Sequence, residues 1–169
     1  MKKDESAGKT LLLIRHAKAI SGDFSQADVI RILSKRGEKQ AHNMAHQINH
    51  EALNPDIIFS SSAKRTAMTT NILMADMAMS AQQVQWRDDL YLAEADVLFN
   101  TIRQADNGIQ KLALVAHNPG LSELANILLS DGVTSMSPCT VVAISWPVQH
   151  WSDISVGSGV LCAYLEPLV

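Results

Sequence analysis

A chain of 169 residues with 47% apolar residues, 18% charged residues and a formal charge of −3 is long enough to bury one core without covalent staples. It is too acidic overall to wrap a nucleic-acid backbone, so any affinity for phosphate must be local. Cys139 and Cys162 each fall in an apolar run, and the opening residues are polar without the hydrophobic segment of a secretory signal, which points to free buried thiols in a reducing cytoplasm. No apolar run approaches the ~18 residues of a membrane span. The expected organisation is a disordered leader over residues 1–9 and a single domain over 10–169.

Leu11, Leu12, Leu13 and Ile14 form an unbroken aliphatic run, the pattern of a central parallel strand covered on both faces. The run ends in Arg15-His16-Ala17-Lys18. Ligands of open α/β sheets sit at the carboxyl ends of strands, so a cationic corner is expected there, with an anion as its guest. Residues 21–34 read as a loop with a short turn. Ser34 is the expected N-cap of a helix reaching about His50, with Ala41, Met44, Ala45 and Ile48 as its buried face. His42, His46 and His50 also recur at helical spacing, but their stripe points away from that face and is read as solvated rather than metal-binding.

Asn54-Pro55 is a turn and Asp56–Phe59 a second strand. Ser60, Ser61 and Ser62 can cap a helix from about Ala63 to Met79, which puts Arg65 in its first turn. The helix dipole disfavours a cation there unless an anion shares the site. Met68, Met74, Met77 and Met79 read as adaptable packing. A third strand near Gln83–Arg87 leads into a segment holding Asp88, Asp89, Glu94 and Asp96, followed by a helix packed through Leu98, Ile102 and Ala105. Leu112–Ala116 repeats the opening pattern and ends in His117. Asn118 reads as an N-cap, with Pro119 at the first position of a helix whose apolar face runs from Leu121 to Leu129. Cys139–Trp146 and Val160–Leu165 read as two more strands, with Trp151 packed over the sheet edge between them.

Two strand ends and one helix start thus converge on Arg15, His16, Arg65 and His117. Arginine forks remain charged and can hold the equatorial oxygens of a phosphoryl group. One imidazole can attack phosphorus while the other steadies the oxygens. These residue types suit metal-free phosphoryl transfer through a phosphohistidine.

Arg15-His16-Ala17 resembles the Arg-His-Gly signature of the histidine phosphatase superfamily, the phosphoglycerate mutase-like proteins. Ser61-Ser62-Ala63-Lys64-Arg65-Thr66-Ala67-Met68-Thr69-Thr70 resembles its second motif, and Val115-Ala116-His117-Asn118-Pro119-Gly120 its third. The order and context match from about Thr10 to Pro167. The small size, Arg15-His16-Ala17-Lys18 and the stretch Arg31–Gly37 are most similar to the SixA-type phosphohistidine phosphatases. The resemblance implies a three-layer α/β/α sandwich with a mostly parallel central sheet and no metal or organic cofactor. It also implies His16 as the phosphorylated nucleophile, Arg15 and Arg65 as phosphate-holding arginines, and His117 as the second pocket histidine. Ala17 stands where the wider family usually has Gly, and Lys18 where many members have an acid; Lys18 is either a further phosphate contact or a rim charge, and Asn118 is a second candidate substrate contact.

Relatives that hydrolyse alkyl phosphates use a carboxylic acid to protonate the leaving oxygen. Glu94 and Asp88 are the candidates here, with Asp89 and Asp96 beside them, and none aligns clearly. A phosphohistidine ring takes up its own proton near neutrality and leaves without such an acid. The expected substrate is therefore a phosphohistidine-bearing phosphorelay or phosphotransfer protein. A small phosphate ester is the alternative, and a phosphoprotein-binding module without turnover is a third reading. Neither nucleic acid nor membrane is an expected partner. The adjacent helix terminus lowers the basicity of His117 while a bound phosphate raises it.

Overall fold

The computed structural model describes residues 8–22, 27–133 and 135–169. Its strands are β1 (Lys9–Arg15), β2 (Ile57–Ser61), β3 (Val84–Arg87), β4 (Lys111–Ala116), β5 (Val141–Trp146) and β6 (Val160–Leu165). Its α-helices are α1 (Lys35–His50), α2 (Lys64–Asp76), α3 (Ala95–Arg103) and α4 (Gly120–Leu128). The strands form one sheet in the order β3-β2-β4-β1-β5-β6. Pairing is parallel from β3 to β1 and antiparallel at β5 and β6.

The apolar run of β1 explains the layering. Successive strand side chains point to opposite faces, so Leu11 and Leu13 join Leu98, Ile102, Leu121 and Leu124 of α3 and α4. Leu12 and Ile14 join Met44, Ile48 and Leu73 of α1 and α2 on the other face. Each of these β1 leucines is fully buried, contributing roughly 1.5–3 kcal/mol by removal from water. The result is a three-layer α/β/α sandwich.

Several local expectations shift. Lys9, expected in the leader, already belongs to β1. Its ammonium, 1% exposed, donates to the carbonyls of Asn107 at 2.5 Å and Ile109 at 2.8 Å. Residues 1–7 of that leader lie outside the described residues. The strand expected from Cys139 starts at Val141, because Cys139 adopts φ 63° and leaves extended geometry. Cys139 and Cys162 are both free, but Cys162 is exposed on the edge strand β6 rather than buried. Helix α4 begins at Gly120, with Pro119 rather than Asn118 at the cap. Asn118 still reaches in, its Oδ1 accepting from the Ser122 N–H at 3.2 Å.

Other expectations are met. Trp151 is fully buried, and its indole N–H donates to the Ile109 carbonyl at 2.9 Å. Met74 and Met77 are core residues, with Met68 and Met79 packed against them. His42, His46 and His50 are exposed on α1. Among the described residues, no helix is long and apolar enough to cross a membrane.

The start of α1 holds the segment after β1 in place. Ser34 caps the helix by accepting the Gly37 N–H at 3.1 Å, and its own N–H donates to the Lys18 carbonyl at 2.9 Å. Gln40 Oε1 accepts the Lys18 N–H at 2.9 Å. Gly37 is required by this approach, since a Cβ there would lie 2.0 Å from the Lys18 carbonyl oxygen. Gly37→Ala should therefore destabilise the fold by about 1–3 kcal/mol through overpacking against backbone. A urea unfolding midpoint equal to that of the parent protein would contradict this account.

Candidate active site

Three adjacent strands deliver the site. His16 follows β1, His117 follows β4 and Ser61 closes β2. The register sets Arg15 beside Ala116 and Ser60 beside Val115, and the His16 N–H donates to the Ala116 carbonyl at 3.2 Å. Residues about a hundred positions apart in sequence thereby place two imidazole rings 5.3 Å apart between centroids.

Arg65, on the first turn of α2, points into this junction and is only 2% exposed. Its Nε donates to His16 Nε2 at 3.3 Å and its Nη2 to His117 Nδ1 at 3.2 Å. A guanidinium can only donate, so both of those ring nitrogens accept and the tautomers follow. His16 carries its proton on Nδ1 and donates it to the Ala17 carbonyl at 2.8 Å. His117 carries its proton on Nε2, 2.8 Å from Ser61 Oγ and 3.3 Å from Thr66 Oγ1. Thr69 Oγ1 accepts the Ala17 N–H at 3.0 Å and donates to the Arg65 carbonyl at 2.8 Å. The spacing of Ser61, Arg65 and Thr69 therefore has a physical content. One residue orients His117, one bridges both rings, and one fixes the peptide that orients His16.

Both rings are neutral near pH 7. Burial pushes His16 down to about 4, helped by Arg65, Arg15 and Arg31 and opposed by the bond to the Ala17 carbonyl. Burial pushes His117 down to about 3, with Arg65 and His16 adding to the effect. Desolvation and the Arg65 charge thus hold His117 neutral. Burial, with Arg65 nearby, lowers Arg15 from its ordinary value. Its Nη1 donates to the Met136 carbonyl at 2.9 Å, whereas its Nε is buried without a hydrogen-bond partner among the described residues.

Arg15, His16, Arg65 and His117 line one cavity of about 450 Å3, together with Lys18, Arg31, Asp28 and Asn118. Lys18 is exposed at its rim. The Asn118 amide is engaged within the fold, donating to the Met136 carbonyl at 2.8 Å and accepting from Ser122. Glu94 and Asp88, the two candidate acids, are exposed and are not on the cavity wall. Asp88 accepts from the Ser62 hydroxyl, Asp89 pairs with Arg87 at 2.7 Å, and Asp96 accepts the Val97 N–H at 2.8 Å. Among the described residues, no cluster of His, Cys, Asp or Glu could hold a metal ion.

Among the described residues, the carboxylate on the wall is Asp28, which sequence patterns did not single out. It sits on a 3-10 turn, Asp28–Ile30, inside the stretch read as loop. Arg65 Nη1 donates to its carbonyl at 2.9 Å and Arg65 Nη2 to its Oδ2 at 3.0 Å. Arg31 Nη2 reaches Oδ1 at 2.9 Å, and the Tyr91 hydroxyl donates to Oδ2 at 2.6 Å. The Tyr91 bond first, then Arg31 and Arg65, hold this carboxyl well below the usual carboxylate range. The only local signal for it is the Asp28–Arg31 spacing, a common surface pair.

The model of the histidine phosphatase superfamily (branch 1) matches residues 11–97. An uncharacterised chloroplastic protein of Arabidopsis thaliana is 28% identical over 172 residues, spanning 97% of this chain and 78% of its own. A candidate phosphohistidine phosphatase SixA from Nakamurella multipartitia superposes with a TM-score of 0.80 at 23% identity, covering 98% of this chain and 100% of that one. A protein histidine phosphatase SixA bound to tungstate gives 0.78 at 15% identity, covering 94% of this chain and 97% of that one. At these identities the structural likeness is one of fold.

The buried rings predict a stability profile. Unfolded histidines take up protons below about pH 6.5, whereas the folded rings stay neutral down to about 4 for His16 and about 3 for His117. Fewer protons on the folded state mean that stability is intact above pH 6.5 and falls as the pH drops from 6.5 toward 4. Each ring contributes a loss on the order of 2–4 kcal/mol over that window. Urea unfolding from pH 7 to 4.5 should show it, and a His16→Asn/His117→Asn double variant should flatten the slope. An unchanged slope in the double variant would assign the acid sensitivity to other groups.

Proposed function

We propose that this chain, which belongs to the histidine phosphatase superfamily, is a metal-independent phosphohistidine phosphatase that acts on a phosphorelay or phosphotransfer protein. The observation that carries the proposal is Arg65, a single buried guanidinium bridging two neutral imidazoles. The unprotonated Nε2 of His16 faces that cation, and an arginine fork is suited to phosphoryl oxygens. The unpartnered Nε of Arg15 adds a second buried donor on the same wall.

The chemistry follows from the tautomers. His16 Nε2 supplies an electron pair to phosphorus, and the bond from phosphorus to the substrate ring nitrogen breaks with its pair staying on that nitrogen. Arg15 and Arg65 balance the charge on the equatorial oxygens. Once phosphorylated, the His16 ring is cationic while its Nδ1–H remains on the Ala17 carbonyl. Attack of water on phosphorus then returns a neutral ring with the same proton in the same place, and phosphate leaves.

The absence of Glu94 and Asp88 from the cavity wall favours a leaving group that needs no acid over an alkyl ester. Leu92, an exposed apolar side chain, lines the cavity, and exposed Val29 and Ile30 follow the wall residue Asp28 along the chain, which suits a protein-borne phosphoryl group better than a small sugar phosphate.

His16→Ala should lower hydrolysis of a phosphohistidine protein by roughly a thousandfold or more and abolish acid-labile phosphate on the enzyme. Arg65→Lys should not restore an Arg65→Ala loss, because a point charge cannot bridge two rings and a phosphoryl group. Normal turnover in the His16 variant would refute the nucleophile. Binding of the phosphoprotein without any turnover in the parent protein would leave a phosphoprotein-binding module. A neutralised Glu94 or Asp88 that slows only phosphate esters would favour the small-ester phosphatase.

A further inference from the structure

Among the described residues, the cavity wall carries Arg15, Lys18, Arg31 and Arg65 and one carboxylate, Asp28. An ionised carboxylate beside a phosphoryl dianion opposes binding and cannot protonate an alkoxide. It becomes favourable only toward a guest that brings an N–H or a positive charge to it. Arg65 spans the relevant groups, with Nε on His16 Nε2 and Nη2 on Asp28 Oδ2. The carboxylate therefore lies one guanidinium width from the attacking nitrogen. Its side chain remains 44% exposed despite the bonds from Arg65, Arg31 and Tyr91.

From this arrangement we infer that Asp28 receives the ring N–H of the departing imidazole and thereby selects phosphohistidine over a phosphate ester. The inference rests on the phosphohistidine reading and names the residue that enforces it. A phosphoryl group draws the Arg65 Nη2 hydrogen toward its own oxygens and releases an acceptor position on Oδ2. The non-phosphorylated nitrogen of a protonated phosphoimidazole then donates to that position. His16 Nε2 forms its bond to phosphorus, the substrate P–N bond breaks with its electron pair on the leaving nitrogen, and the ring departs neutral with its N–H proton still attached. No proton changes owner in this step. An ester leaving oxygen offers no N–H, so Asp28 gives it only repulsion.

The test compares kcat/KM for a phosphotransfer protein phosphorylated on histidine and for p-nitrophenyl phosphate, in the parent protein, Asp28→Asn and Asp28→Glu. Asp28→Asn should lower kcat/KM on phosphohistidine by roughly 10- to 100-fold, the worth of one charge-assisted hydrogen bond. The ester rate should fall by less than the phosphohistidine rate, so that the ratio of the two shifts toward the ester, and Asp28→Glu should recover part of the phosphohistidine preference. An equal fall on both substrates would make Asp28 an anchor for Arg65 and overturn the inference. An equal rise on both, with tighter inhibition by inorganic phosphate, would make it a competing anion and overturn it as well. Should Asp28→Asn unfold, the Asp28→Glu comparison decides: a phosphohistidine rate that falls more than the ester rate with folding intact supports the inference, and an equal change on both substrates overturns it. If the parent protein hydrolyses only the ester through His16, the phosphohistidine reading and this inference fall together. An unchanged preference in Asp28→Asn, with His16-dependent phosphohistidine turnover intact, sinks the inference alone.

Discussion

The Arg65 guanidinium is the interaction on which the site depends. A buried charge is tolerated only when hydrogen bonds and opposite charge surround it. Here His16, His117 and both the backbone and side chain of Asp28 supply them. Because a guanidinium never accepts, it also dictates which nitrogen of each ring carries the proton. One side chain thus sets the position, charge and tautomer of two imidazoles brought by different strands. Removing it would leave two neutral rings with their acceptor nitrogens unpaired in a desolvated pocket.

The same residue explains why an anion belongs at this helix start. Arg65 occupies the first turn of α2, at the positive end of the helix dipole, and Ala63 offers no side-chain cap. A cation there requires a compensating negative charge. The chain supplies one itself in Asp28, at 3.0 Å, on a turn thirty-odd residues upstream. A phosphoryl group entering the cavity therefore meets a cation already balanced by a carboxylate.

Much of this was legible in the sequence because the strongest signals were local. The aliphatic runs of β1 and β4 fix two buried strands, and each ends directly in its histidine, so His16 and His117 follow from strand geometry alone. Arg65 is marked by its place after the serines that close β2. Helix α1 follows from the Ser34 cap and its apolar stripe. What escaped depends on long-range packing. Asp28 lies in a polar loop with no period, and its partners Arg65 and Tyr91 are 37 and 63 residues away. The acids Glu94 and Asp88 are near the site in sequence, but a 3-10 turn at Asp88–Leu90 and the start of α3 carry them to the surface. Asn118 and Cys139 mislead for a related reason, since each is an irregular residue adjoining a regular element, where main-chain geometry outweighs propensity.

The choice of a backbone carbonyl, rather than a carboxylate, to hold His16 has a chemical consequence. A carboxylate on Nδ1 would raise the basicity of the ring and favour imidazolium, which has no free pair for phosphorus. The Ala17 carbonyl orients the ring as firmly but adds no negative charge, so desolvation prevails and Nε2 stays unprotonated. That carbonyl is itself steadied from outside the ring's shell, because Thr69 holds the Ala17 N–H and is tied back to the Arg65 carbonyl. The helix that brings the guanidinium to Nε2 therefore also sets the peptide that presents Nε2 to it. Displacing α2 relative to β1 would disturb the His16 ring and its electrostatic partner together, so the packing of α2 on the sheet and the protonation state of His16 are one constraint.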